Sequence, residues 1–219
     1  MPLHITVVDD HSAVRLGMKY IIQEWMPETV VSFADTMPEL LRLLSSKFID
    51  IVVLDINIPG GNSFDMIKMI RGLQSHVKIL VLSAYEELLY ALRYIDLGAD
   101  GYLQKNSNEI TIREALNTVY QGKKYLSKDV KAHILEQRMS AGEKATENPI
   151  GSLTNRELQV CRLLAEGKGV GEIAKLLFLH TSTVGTYKSK IYEKLRVNNI
   201  TELIDKFRLH DFGVTQIQS

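Results

Sequence analysis

The sequence predicts an α/β domain with a doubly wound five-stranded parallel sheet, (βα)5, followed by an all-α bundle that contains a helix-turn-helix. Three observations carry this expectation. Over residues 3–121, short β-branched runs alternate with stretches of helical period. From residue 152 to about 209 the pattern is wholly helical. Between the two lies a segment that is small, polar and aperiodic.

The strands are expected at residues 4–8, 30–33, 50–54, 77–82 and 101–103, and the helices at about 13–26, 36–46, 63–73, 85–97 and 107–121. Strands that alternate with helices require crossover connections. Right-handed crossovers then limit the topology to a parallel sheet covered on both faces. Residues 124–138 read as one more helix, with Ser127 as its N-cap. Met139–Gly151 reads as a flexible linker, and residues 211–219 have no period and read as a loose tail. The domain boundaries expected are therefore 1–122, a helical extension and linker over 123–151, a helical domain over 152–210, and the tail.

Lys plus Arg and Asp plus Glu balance at 26 each, so net charge alone indicates no nucleic-acid partner. Its distribution is more telling. Residues 1–138 carry 15 basic and 17 acidic groups, a net of −2, whereas residues 152–219 carry 10 and 7, a net of +3. This places DNA contact in the C-terminal part. Cys161 is the single cysteine, so no intrachain disulfide forms; it sits in an apolar helical pattern and reads as core. The start Met-Pro-Leu-His-Ile lacks signal-peptide regions, and no apolar run is long enough to cross a bilayer. A cytoplasmic protein without a membrane partner is the expectation. No G-x-G-x-x-G or Walker lysine motif appears, and the six histidines show no metal-ligand spacing.

The chemistry lies at the strand ends. The first strand runs into Asp9 and Asp10, the third into Asp55, the fourth into Ser83 and the fifth toward Lys105. Sites in open α/β sheets form beyond the carboxyl ends of the strands. Three carboxylates packed there repel one another and require a cation, and carboxylate oxygens suit Mg²⁺. One of them can then attack a phosphoryl group, with a lysine and a hydroxyl stabilising its oxygens.

Val-Val-Asp-Asp-His-Ser, Val-Leu-Asp-Ile-Asn-Ile-Pro-Gly, Val-Leu-Ser-Ala and Gly-Ala-Asp-Gly-Tyr-Leu-Gln-Lys resemble the receiver domain of bacterial two-component response regulators. The resemblance covers essentially all of residues 3–121. It implies that Asp55 is the phosphoacceptor, Asp10 a direct Mg²⁺ ligand and Asp9 a ligand mainly through water, with the Asn57 backbone carbonyl completing the protein's share. It makes Ser83 the switch hydroxyl, Lys105 the family lysine and Tyr102 the switch aromatic. Asn57 and Tyr85 fall where related proteins tune the lifetime of the phosphate. Many receivers have a proline after the lysine with a cis bond before it; this chain has Asn106.

In the C-terminal part, Thr154 and Glu157 form a capping-box pattern, Leu158, Cys161, Leu164 and Ala165 an apolar stripe, and Gly167 a helix stop. Ile173, Ala174, Leu176 and Leu177 mark a second, short helix. A turn at Leu179-His-Thr181 leads to a third helix with Val184, Tyr187, Ile191 and Leu195 inward. Leu-Thr-Asn-Arg-Glu-Leu-Gln-Val, Glu-Ile-Ala-Lys-Leu-Leu and Thr-Val-x-Thr-Tyr-Lys-Ser-Lys-Ile resemble the LuxR-type DNA-binding domain, and the whole order resembles the NarL/FixJ class of response regulators. The recognition helix is expected at about 181–195, with Thr181, Thr183, Gly185, Thr186, Lys188, Ser189 and Lys190 toward DNA. Thr186 and Ser189 suit base edges, and Lys188 and Lys190 suit phosphates. Gly185 departs from the family, which commonly has Lys or Arg there. Arg156 and Glu157 read as cap and scaffold.

The function expected is a transcriptional regulator switched when a sensor histidine kinase phosphorylates Asp55. It is a phosphoacceptor that catalyses only its own phosphoryl transfer and slow autodephosphorylation, not a metabolic enzyme. Phosphorylation promotes homodimerisation or release of the helix-turn-helix, which binds double-stranded promoter DNA; RNA polymerase is a further candidate partner. The competing reading is a constitutive DNA-binding protein whose receiver serves only for dimerisation. A haloacid-dehalogenase-like phosphatase would want a D-x-D pattern at the first strand, which this chain lacks.

Overall fold

The structure is a computed structural model and describes residues 2–61, 65–140 and 149–210. It divides into two compact units, Met1–Gly142 and Glu143–Ser219.

The first unit alternates strands β1 (His4–Val8), β2 (Val30–Ala34), β3 (Ile51–Leu54), β4 (Lys78–Ser83) and β5 (Gly101–Gln104) with helices α1 (Ser12–Trp25), α2 (Met37–Ser46), α3 (Asp65–Leu73), α4 (Glu87–Asp96) and α5 (Glu109–Tyr120). The strands form one sheet in the order β2-β1-β3-β4-β5, and every pairing is parallel. The (βα)5 doubly wound expectation is thereby met. Both sheet faces are apolar because both are covered. Ile5, Val7, Ile51, Val53, Leu80, Leu82 and Leu103 pack with Met18 and Ile22 of α1 and Ile112, Leu116 and Val119 of α5. The alternate positions Val8, Val52, Leu54, Ile79 and Val81 are equally buried, as are Leu40, Met66, Ile67 and Ile70 of α2 and α3. This explains why the strands read as continuous apolar runs.

The topology positions the site. Because β1 lies between β2 and β3, and β3 beside β4, the loops after β1, β3 and β4 open at the same sheet edge. Asp9 N–H donates to Ala34 carbonyl at 3.1 Å and Asp55 N–H to Val8 carbonyl at 2.8 Å, which sets the first two acidic loops side by side. Lys105 N–H donates to Ser83 carbonyl at 2.7 Å and carries the β4–β5 pairing one residue further. At the opposite edge, Asp100 is held by Arg71 at 2.6 Å and accepts from Ile79 N–H at 2.9 Å. The described peptide bonds are all trans, Lys105–Asn106 included.

One element differs from expectation. The helix after α5, α6, spans Lys128–Ser140 and does not begin at 124. Residues before it are extended, and Tyr125 bridges to Gly101 at the edge of β5. A Cβ on Gly101 would lie 2.9 Å from Leu80 Cδ1 and 3.0 Å from Tyr125 Cβ, so the bare glycine permits this close approach. The start was misplaced because the competing partner is distant in sequence. Ser127 does serve at the helix start, its Oγ accepting from Val130 N–H at 3.3 Å. The segment read as a linker is also shorter than 139–151: residues 139 and 140 are helical, and Pro149–Ser152 form a 3₁₀ turn. Residues 141–148 and the tail 211–219 lie outside the described residues.

The second unit contains α7 (Asn155–Ala165), α8 (Val170–Leu176), α9 (Thr181–Leu195) and α10 (Ile200–His210). Thr154 and Glu157 make the full capping box. Gly167, at φ +83°, ends α7 in a Schellman arrangement, with Lys168 N–H donating to Leu163 carbonyl at 3.0 Å. Leu158, Cys161, Leu164, Ile173, Val184, Ile191 and Leu195 are buried together with Leu203 and Phe207. Leu176, read as part of the apolar face of α8, is instead exposed. The inward side of α8 is set by Ile173, Ala174 and the half-buried Leu177, and at 3.6 residues per turn Leu176 falls away from it.

Candidate functional site

Asp9 and Asp55 are buried at the carboxyl edge of the sheet, while Asp10 is exposed at its rim. Lys105 Nζ lies between the two buried carboxylates, 2.7 Å from Asp9 Oδ2 and 2.7 Å from Asp55 Oδ2. The contact with Asp55 is a hydrogen bond. Asp9 Oδ2, also buried, pairs with the same ammonium. Asn57 N–H donates to Asp55 Oδ1 at 3.0 Å, which orients the carboxylate and folds the loop after β3 back on it.

The electrostatics follow from this packing. Burial raises the proton affinity of the Asp55 carboxyl above its ordinary range, and the neighbouring Asp9 charge adds to this. Lys105 and the Asn57 amide oppose the rise without cancelling it. Burial by itself would lower the Lys105 pKa, but hydrogen bonds and charge from Asp55 and Asp9 raise it, so the ammonium is retained.

Residues of the acidic group fit a hard divalent cation. Oxygen atoms of Asp9, Asp10 and Asp55, with a ring nitrogen of His11, all lie within 4.8 Å of one another. Three carboxylates share the single Lys105 ammonium, so the group retains negative charge that a cation would neutralise. His11 was not singled out from the sequence, because its neighbours in space are aspartates and no His-His or Cys-His spacing exists. Its position directly after Asp9-Asp10, where α1 begins, was the available signal. The His11 ring Nδ1 is 2.7 Å from Asp10 Oδ1 and 3.1 Å from Asp9 Oδ1. Arg15 also belongs here, its Nη1 donating to Asp9 carbonyl at 2.5 Å.

Ser83 ends β4 and is buried, next to Lys105 across the β4–β5 pairing. Its Oγ accepts from Tyr85 N–H at 3.1 Å. Tyr102 lies wholly buried on β5 against Tyr94, and its hydroxyl donates to Tyr85 carbonyl at 3.1 Å. Burial, first of all, raises the Tyr102 pKa, so the ring is a neutral donor. Ser83 and Tyr102 thus grip the same residue from its two peptide groups. Glu87, in the first turn of α4, accepts from Gln104 N–H at 3.1 Å and closes the same corner.

In the second unit, Val184, Ile191 and Leu195 seat α9 in the core. Thr181, Thr186, Ser189 and Lys190 are exposed, and Thr183, Gly185 and Lys188 are half-buried. Tyr187, expected inward, is half-buried as well. The Thr186 and Ser189 hydroxyls donate back to Ser182 and Gly185 carbonyls at 3.0 and 3.2 Å. Lys188 Nζ lies 5.4 Å from the Tyr192 ring centre. Arg156 donates to Gln159 Oε1 at 2.7 Å and to Leu177 carbonyl at 3.3 Å, which ties α7 to the turn after α8.

Among the described residues, no helix is long and apolar enough to cross a membrane. Residues 5–117 match the family of response regulator receiver domains, and residues 151–207 match the luxR family of bacterial regulatory proteins. The chain is 30% identical over 210 residues to the fimbriae Z protein of Escherichia coli K12, covering 96% of this chain and 98% of that protein. It is 28% identical over 201 residues to the response regulator UvrY of the same strain, covering 92% and 91%. Among solved structures it is similar to RcsB of Salmonella enterica serovar Typhimurium bound to a promoter in the presence of the phosphomimetic BeF3⁻. That match has 26% identity and a TM-score of 0.56, over 94% of this chain and 98% of that one.

Proposed function

The chain belongs to the bacterial response regulators that join a receiver domain to a luxR-family DNA-binding domain, and from this premise we propose that phosphorylation of Asp55 governs its binding to promoter DNA. It is a DNA-binding transcription regulator. The receiver is assigned to residues 1–122 and the DNA-binding domain to 152–210, joined through 123–151 and followed by a tail at 211–219. The assignment of the phosphorylation site rests on one observation above others: two buried aspartates from adjacent strand ends share a single lysine ammonium.

The donor is the phosphohistidine of a sensor kinase. An Asp55 oxygen attacks phosphorus, the P–N bond breaks, and the electron pair leaves with the kinase imidazole. Mg²⁺, when bound, supplies the positive charge that neutralises the phosphoryl oxygens. Asp9, Asp10, Asp55 and the Asn57 carbonyl would hold it. Lys105 turns from the carboxylates to a phosphoryl oxygen, and the Ser83 hydroxyl donates to another. Because Ser83 Oγ also accepts from Tyr85 N–H, its movement toward the phosphoryl group pulls on Tyr85, whose carbonyl is the acceptor for Tyr102. The change at Asp55 therefore reaches the corner between α4 and β5 through two hydrogen bonds.

The output is a homodimer in which two helix-turn-helix units meet paired half-sites. Thr181, Thr183, Gly185, Thr186 and Ser189 face base edges, and Lys188 and Lys190 face phosphates. The likeness to the response regulator UvrY and to promoter-bound RcsB supports a DNA-bound regulator, and a cytoplasmic location follows from such a role. RNA polymerase is the partner through which promoter binding would act.

Substitution Asp55→Asn should abolish Mg²⁺-dependent labelling by a small phosphodonor. Undiminished labelling of that variant would end the assignment. DNA affinity compared with and without phosphorylation tests the switch: a rise on phosphorylation is expected, and equal affinities would favour a receiver used only for dimerisation.

A further inference from the structure

We infer that the first unit carries a second site, for a primary ammonium ion with an apolar chain, at the sheet edge opposite the acidic residues.

The start of β1, the residues before β3 and the last residue of α5 enclose a cavity of about 310 Å³ at that edge. It is lined by Pro2, Leu3, His4, Phe48, Asp50 and Tyr120. The volume falls at the lower end of pockets that hold small molecules, about 300–1,000 Å³. The lining is mostly apolar, and its carboxylate is Asp50. That carboxylate is firmly placed. The Asp50 N–H donates to His4 carbonyl at 2.9 Å, and its carbonyl accepts from Lys78 N–H at 2.9 Å, so the residue extends two strand pairings. Oδ2 accepts from His4 N–H at 2.8 Å. Among the described residues, Oδ1 has no partner and no ion pair neutralises the group. The His4 ring does not answer it either, since its Nδ1 is buried without a hydrogen-bond partner. Lys78 Nζ is engaged elsewhere, donating to Tyr120 carbonyl at 2.6 Å.

A half-buried carboxylate between two aromatic rings selects a cation. The Phe48 and Tyr120 side chains are 67% and 41% exposed. Each is held by a ring that does not border the cavity: Phe48 stacks on His76 at 4.0 Å, and Tyr120 meets Trp25 edge-on at 5.9 Å. Lys78 Nζ lies 5.6 Å from the Tyr120 ring centre, so this ring already attracts one ammonium. Tyr120 also ends α5, and the negative end of a helix dipole favours positive charge nearby. An ammonium N–H donates to Asp50 Oδ1 in a charge-assisted hydrogen bond, while the apolar chain covers Pro2 and Leu3. An anion would meet the carboxylate and the helix end unfavourably, and a neutral alcohol would forgo the charge.

The test uses the full chain and n-hexylammonium, with hexanol and hexanoate as its neutral and anionic counterparts. Calorimetry gives affinity and stoichiometry. Emission of the sole tryptophan, Trp25, reports the location through its contact with Tyr120. The wild-type protein is expected to bind hexylammonium one-to-one with a change in emission, and to bind hexanol and hexanoate about tenfold more weakly or worse. Asp50→Asn keeps an oxygen for His4 N–H and removes the charge. It should weaken hexylammonium binding about tenfold or more and leave that of hexanol unchanged. Phe48→Ser, at an exposed position, should weaken hexylammonium binding about two- to fivefold. Equal affinities for hexylammonium and hexanol in the wild-type protein overturn the ammonium preference, whatever the variants do. An unchanged affinity in Asp50→Asn with wild-type circular dichroism does the same. Binding that leaves Trp25 emission unmoved, or that Phe48→Ser does not alter, overturns the location, and absence of saturable binding overturns the site.

Discussion

Glu157 shows how one carboxylate can serve two structural tasks. Its side chain is buried, yet Lys194 Nζ lies 2.6 Å away and Thr154 N–H donates to it at 2.8 Å. Burial alone would raise its pKa, but Lys194 and the Thr154 contacts outweigh burial and hold the carboxyl below its usual range. A folded pKa lower than the unfolded one means that the contribution is present above the unfolded pKa and is lost as pH falls through the folded value. Glu157→Gln should therefore destabilise the second unit by about 1.5–3 kcal/mol at neutral pH, the worth of a hydrogen bond to a charged group. The gap from wild type should close as pH drops below the ordinary glutamate range. Hydrogen exchange at α7 amides reads this directly; the sole tryptophan, Trp25, lies in the other unit and would miss it. The capping box was legible in the sequence because cap and partner are three residues apart. The Lys194 pairing was not, since it spans 37 residues and depends on how α7 and α9 cross.

Elements were legible to the extent that their partners are local. The five strands read correctly to within one residue at either end, because burial on both faces of the inner strands leaves mostly β-branched and apolar residues, while the edge strand β2 is only partly buried. The start of α6 did not, because Tyr125 is held by Gly101 from β5 rather than by its own neighbours. At the acidic site, the three aspartates and Lys105 were visible as strand-end residues, whereas His11 required the turn that lays its ring over Asp10. Helix α9 carries its own test of local preference. Gly185 sits in its interior, and an added Cβ would meet nothing within 4 Å. Gly185→Ala should thus stabilise the second unit by about 0.5–1 kcal/mol, through backbone entropy alone, as seen by denaturant-dependent exchange of α9 amides. A loss of stability would mean that the helix is packed there after all. Lys190, exposed on the same helix, bears on function rather than folding. Its replacement by Ala should weaken binding to all DNA sequences nearly equally and reduce the slope of log affinity against log salt by about 1. A change confined to one operator sequence would assign it to a base instead.

At the scale of the whole molecule, the two units carry opposite charge and separate tasks, and only a coupling free energy makes them one regulator. If phosphorylation raises DNA affinity by some factor, DNA must raise the affinity of the receiver for a bound phosphoryl mimic by the same factor. This reciprocity holds for reversible binding, so BeF3⁻ is a suitable probe where a covalent phosphate is not. With Mg²⁺ present, BeF3⁻ should bind more tightly when the operator, first located by footprinting, is saturating. The two ratios, DNA affinity with and without BeF3⁻ and BeF3⁻ affinity with and without DNA, should agree. A coupling of about 1–3 kcal/mol, typical of such switches, corresponds to a ratio of roughly 5–150. The path proposed through Ser83, Tyr85 and Tyr102 sets a further requirement on the size of that ratio. Tyr102→Phe keeps the buried ring and removes its donor to Tyr85, so both ratios should shrink toward 1 together. BeF3⁻ binding measured without DNA reads the acidic site directly and identifies any damage done there. Two ratios that stay at their wild-type size would show that the coupling leaves the receiver by another face.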